Sequence, residues 1–182
     1  MANRSQLSSL ISFLERWQRS HSGGFVRSAR GVAVARQRME TVRLFALKNP
    51  DSALADPSMI DRIAESTALA AFQNCQILKC VLKDFENALK FAVDLSASWP
   101  ENDGMSCFIK ALVFAATEEL KLRRTIALQL SKPDSVQILQ SLLVLTSELD
   151  EYIPARALSV CPLQGCLLNF DSLRKLIRSK IS

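Results

Sequence analysis

From Pro57 to Ala97 the chain runs without a glycine and, after Pro57 itself, without a proline. Within that run Ala64, Ala68, Ala71, Cys75, Leu78, Leu82, Phe85, Leu89 and Ala92 follow one another at alternating spacings of four and three. Nine consecutive positions of this kind draw one apolar seam along a helix, and the alternation is that of coiled-coil packing. Asp56-Pro57 supplies the start, with a capping carboxylate followed by a proline whose missing N–H costs nothing at the first helical position. At 1.5 Å per residue, a helix over 57–97 reaches roughly 60 Å. A helix of that length needs neighbours or partners along its seam, which restricts the chain to helical packing.

The flanking sequence fits the same class. Leu7, Leu10, Ile11, Leu14 and Trp17 fall at helical spacing over residues 5–19, "SHSGG" at 20–24 reads as a break, and a second helix is expected over 25–48 up to Pro50. Residues 49–57 and 98–104 read as linkers. A helix over 104–131 carries Phe108, Ile109, Leu112, Val113, Leu120, Leu122, Ile126 and Leu130. A further one over 133–152 carries Val136, Leu139, Leu142, Leu143, Leu149 and Tyr152, with Pro154 closing it. Residues 160–166, "VCPLQGC", read as loop. A short basic helix over 171–181 starts at Asp171 and presents Leu173, Leu176, Ile177 and Ile181 on one face. Hairpin dipeptides between alternating apolar runs are absent. The expected fold is all-α: an elongated helical bundle with coiled-coil-like packing, four long helices plus a short C-terminal one, with 57–97 as its spine. A more globular bundle centred on 104–131 is the alternative.

The chain has 182 residues, enough for one domain with a core of its own, and its 48% apolar content is that of a folded protein. Only five glycines occur, and neither a GxGxxG nor a GxxxxGK[ST] pattern is found. Loops that cradle phosphate need glycine where the backbone approaches the ligand, so a nucleotide-binding α/β enzyme is disfavoured. Five cysteines without a secretory leader point to a reducing compartment, cytoplasm or nucleus. No apolar run reaches the length of a membrane span.

Charge is distributed unevenly. Residues 1–50 hold nine Lys/Arg against Glu15 and Glu40, residues 51–170 are net acidic, and the last twelve are basic again through Arg174, Lys175, Arg178 and Lys180. The stretch 27–45 alone carries Arg27, Arg30, Arg36, Arg38 and Arg43 against the single acid Glu40. On a helix, Val32, Ala35, Met39, Val42 and Ala46 form one stripe. Arg36 and Arg43 stand beside one edge of it and Arg38 toward the other. Arginines in such places lay their methylene stems over packed surface and pair with acids on a neighbour. A nucleic-acid face would instead gather them on one exposed surface with aromatics for stacking. Residues 1–30, with five arginines, seven serines and one acid, also have the composition of a mitochondrial import signal, which keeps that compartment as the alternative.

Catalytic constellations are missing from the pattern. His21, the one histidine, lies in the expected break at 20–24, where a solvated side chain is the ordinary outcome. Cys75/Cys80 and Cys161/Cys166 lack the spacing of a structural zinc site. The adjacent pairs Glu118/Glu119 and Asp150/Glu151 diverge by about 100° on a helix and form no acid/base dyad unaided. Glu148, Asp150 and Glu151 make an acidic cluster that fits a solvated helix end or a basic partner. Trp17 and Trp99 are the anchors if an interface exists, tryptophan being enriched among binding hot spots, while burial within the bundle is the commoner fate of such residues. The expectation is therefore a non-catalytic interaction or scaffold subunit, without cofactor or metal, that joins a homo-oligomer or a heteromeric complex. Trp17, Arg27, Arg30, Arg36, Arg38, Arg43, Arg174, Lys175 and Arg178 are its partner-binding candidates. Nucleic-acid binding through the basic head and tail is the alternative.

Overall fold

A computed structural model describes residues 4–101, 105–132, 139–149, 152–160 and 170–179, and the fold is an all-α helical bundle with no strand among them. Helix α1 spans Arg4–Arg19, a π-helical turn Ser20–Phe25, α2 Val26–Lys48, a 3-10 turn Ala53–Ala55 and α3 Pro57–Ala97. Then come α4 (Ser106–Ser131), α5 (Leu139–Glu148), α6 (Tyr152–Val160) and α7 (Phe170–Ser179). The start of α3 is made as its sequence dictates. The Asp56 carboxylate accepts from the Ser58 backbone N–H at 3.1 Å, satisfying one of the otherwise unpaired donors of the first turn.

The longest helix is not the one most enclosed. Helix α4 buries Phe108, Ile109, Leu112, Ala115, Ala116, Leu120, Ile126 and Leu130, with Glu119 and Arg123 among them, and packs on α3 and α6. Helix α1 closes the other side of α3 through Leu10, Phe13, Leu14 and Trp17, and α7 lies against α1 with Phe170, Leu173 and Ile177 inward. The buried face of α3 is Leu78, Val81, Phe85, Ala88, Ala92 and Leu95, again alternating threes and fours but turned from the nine-residue seam. Leu78, Phe85 and Ala92 are common to both. Cys75, Leu82 and Leu89 sit only half-buried and Ala68 is exposed. On this face Phe85 packs against Trp17 and Phe25, 4.7 and 6.3 Å between ring centroids, with Val81 and Ala88 buried on either side of it along the helix.

Burial along α2 and α3 is unequal. In α2 the buried residues are Ser28, Ala29, Val32, Ala33 and Ala35, and in α3 only Thr67 is buried before Leu78. Residues 36–48 and 57–77 therefore make an antiparallel helical arm that packs on itself through half-buried Met39, Val42, Ala46, Ala64 and Ala71. Thr67 marks its inner face, its hydroxyl bonding back to Ile63 O at 2.8 Å and lying 3.8 Å from Met39 Sδ. Leu44, Phe45, Leu47, Met59, Leu69 and Phe72 stand exposed on the arm.

Two expectations are corrected. Residues 20–24 do not break the chain: the π-helical turn carries α1 into α2 without interruption. A π-turn tolerates glycine where another helix presses close, and a Cβ on Gly24 would stand 2.7 Å from Val81 Cγ2. The helix expected over 133–152 divides into α5 and α6, and Pro154 lies in the first turn of α6 instead of ending a helix. First-turn N–H groups have no intrahelical acceptor, so proline is accommodated there. Residues 133–138, 150–151 and 161–169, with Cys161, Cys166, Asp150 and Glu151, lie outside the described residues.

Candidate functional site

The first candidate is a polar cluster inside the core. Helix α4 presents Glu119 and Arg123 one turn apart on its buried face, and both side chains are 0% exposed. Glu119 Oε1 accepts from Arg123 Nε at 2.6 Å, from Arg123 Nη2 and from Trp17 Nε1 at 2.9 Å. The guanidinium lies over the rings of Phe25 and Phe85, 4.9 and 4.4 Å from their centroids. Aromatic faces attract a cation and shield it from water, which offsets part of the cost of burying it. Trp17, Phe13, Phe25 and Phe85 form one aromatic chain around the pair, with centroids 4.7–6.3 Å apart.

His21 belongs to this cluster and is not the solvated side chain expected of a break. The π-turn faces it inward, 4% exposed, and its pKa is lowered to about 4, first by burial and then by the charge of Arg123. It is therefore neutral at pH 7. Sequence spacing held one usable signal for the cluster: an acid and a base four apart, Glu119 and Arg123, in helical register with the apolar Leu112, Ala116, Leu120, Ile126 and Leu130. Glu118, as its position predicts, points away and pairs with Lys121 at 2.7 Å. Closed by aromatic packing on all these sides, the cluster fixes how α1, the π-turn and α4 meet.

The second candidate is on the surface. Arg27, Arg30 and Arg38 line a groove of about 420 Å³ between α2 and α3, walled by Gly31, Val34 and Ala35 on one helix and by Ser66, Thr67, Ala70 and Asn74 on the other. On the opposite edge of α2, Arg36 and Arg43 border a second groove of about 350 Å³ with Met39, Ala64, Ala68 and Ala71. The stripe of α2 thus separates the arginines into two sets. Arg174 pairs with Asp171 within α7, and Arg178 reaches Glu15 of α1 at 3.1 Å, so the basic tail is stitched to the basic head through an acid of α1. Lys175 is exposed. Trp17 is 1% exposed and Trp99 4%: both are core residues, not surface anchors.

A third groove, about 460 Å³, runs between α3 and α4 beside Leu89, Val93 and Leu120. Glu86 and Asp94 there balance Lys90, Lys121 and Arg124, and Arg124 meets Glu86 at 2.7 Å. Among the described residues no three His, Cys, Asp or Glu side chains come together as metal ligands, and no helix is long and apolar enough to cross a membrane. The class established is an all-α helical bundle. No known protein family, curated protein or solved structure matches the chain.

Proposed function

We propose that this protein is a non-catalytic interaction subunit, a helical bundle whose α2–α3 arm docks onto another chain. One observation carries the reading: Leu44, Phe45, Leu47, Met59, Leu69 and Phe72 stand exposed on an arm where burial has nearly ceased. Apolar side chains gathered on one projecting element mark a surface that is covered in an assembly. The cationic edges of the arm add steering and register to such a contact. A reducing compartment suits it, since Cys75, Cys80 and Cys107 are free thiols and two of them are exposed.

A photoreactive residue in place of Leu47 or Phe72 tests the reading in the native cell. It is expected to give a discrete adduct, to a second copy or to a different chain, while the same label at exposed Lys110 of α4 gives none. Absence of adducts at the arm, together with sedimentation as a monomer at all concentrations, overturns it. The second reading, binding of nucleic acid, is favoured by Arg27, Arg30 and Arg38 sharing one groove. Filter binding over a salt series tests it, because neutralising phosphates makes affinity fall steeply with salt.

A further inference from the structure

The groove of Arg27, Arg30 and Arg38 has no carboxylate among its lining residues. None of these three arginines forms an ion pair with a described residue. The remaining walls are uncharged, with Gly31, Val34, Ala35 and Ala70 beside the polar Ser66, Thr67 and Asn74, and their rim carries Val34, 58% exposed. Arg27, Val34, Arg38 and Phe45 succeed one another at spacings of seven, four and seven, which sets them in one line along α2. Facing them on α3, Ser66, Ala70, Asn74 and exposed Ile77 follow at four, four and three. From Arg27 to Arg38 the line extends about 16 Å, three turns of helix.

We infer that this groove docks an acidic amphipathic helix of a protein partner, its apolar stripe on Val34, Ala35 and Ala70 and its carboxylates on Arg27, Arg30 and Arg38. The inference rests on the interaction-subunit reading and gives that reading a partner chemistry. Guanidinium groups pair carboxylates in a fixed, bidentate geometry, and a two-helix trough takes a third helix by its apolar face. Nucleic acid fits less well, because the trough has no aromatic side chain among its lining residues for base stacking. On the opposite edge of the stripe, Arg36 and Arg43 border the second groove with the alanines of α3.

The test uses the full chain and a fluorescent helical peptide of about 18 residues, with leucines at alternating three and four spacing flanked by glutamates. Its controls are the same peptide with lysine for glutamate, the same with serine for leucine, and a single-stranded oligonucleotide as competitor. Saturable binding is expected for the acidic amphipathic peptide alone. Joint Arg27→Gln, Arg30→Gln and Arg38→Gln should weaken it by about tenfold or more, and Val34→Asp likewise, with the helical spectrum and melting unchanged. Lys110→Glu, away from the groove, should leave binding as it was. Equal binding of the lysine peptide, indifference to the arginine changes, or displacement by the oligonucleotide through the same arginines overturns the inference. If the peptide fails while Leu47 and Phe72 still give adducts, the groove assignment falls and the interaction reading stands; if both fail, both fall.

Discussion

Trp17 donates its indole N–H to Glu119 Oε1 at 2.9 Å, a bond between residues 102 apart in the chain and wholly inside the core. The same oxygen receives Arg123, so a neutral donor from α1 completes an ion pair that α4 makes within itself. A buried pair gives back little more than its desolvation cost, but each member becomes expensive once the other is removed. The bond therefore sets which face of α1 meets α4 more than it adds to total stability.

Removing one charge should be far worse than removing both. Glu119→Ala or Arg123→Met alone is expected to cost about 3–5 kcal/mol, because each leaves its partner charged in the core. Glu119→Leu with Arg123→Met should lie within about 2 kcal/mol of the parent. Trp17→Phe, which keeps a ring and deletes the donor, should cost about 1–3 kcal/mol. Denaturant unfolding of the four variants checks the ranking, and a double variant no more stable than the singles contradicts it.

His21 makes stability depend on mild acid. Its folded pKa, about 4, is below the ordinary value of 6.5, so the unfolded chain takes up the proton first as pH falls. Its contribution is complete above pH 6.5 and is lost between 6.5 and about 4, at up to ~1.4 kcal/mol per pH unit. His21→Gln should flatten melting temperature against pH in that window. A variant with the parent's slope there would remove His21 from the account.

Gly24 is expected to resist a methyl group because Val81 cannot yield. A β-branched side chain on a helix has one strongly preferred rotamer, so its Cγ2 stays in the path of a new Cβ. Gly24→Ala should destabilise by about 1–3 kcal/mol despite alanine's better helix propensity. In a Val81→Ala background the same change should be neutral or stabilising, and melting of the two singles and the double measures that coupling.

The α2 stripe and its flanking arginines should separate in magnitude. Val32, 0% exposed, is expected to cost about 1–4 kcal/mol on truncation to alanine. Arg36→Glu should cost about 0.2–1 kcal/mol, and more than Arg36→Ala, because reversal adds repulsion to a lost contact. Thermal melting of the three variants decides it; equal losses for Val32→Ala and Arg36→Ala would mean that Arg36 is structurally as deep as the stripe.

The placement of the α2 arginines was half legible before the fold. Helical spacing alone puts Arg36 and Arg43 on one side of the stripe and Arg38 on the other. That Arg27 and Arg30 join Arg38 in one trough depends on where α3 lies against α2, which no single helix encodes. Tryptophan content left the interface and the core both open to Trp17 and Trp99, and packing took both into the core. Composition ranks a side chain by type; burial is set by which neighbours arrive.

Local chemistry determined the class of fold, the residues of α3 from Pro57 to Ala97, its Asp56 cap and the stripe of α2. These depend on spacing and on backbone donors within a few residues, so they are written in the chain itself. Tertiary structure alone decided that α3's seam turns toward Val81, Ala88 and Leu95, that residues 20–25 stay helical, and that His21 is buried beside Arg123. Each of those outcomes turns on contacts between segments tens of residues apart. There the free energy of excluding water from Phe25, Phe85 and Trp17 outweighs the local preference of serine and glycine to break a helix.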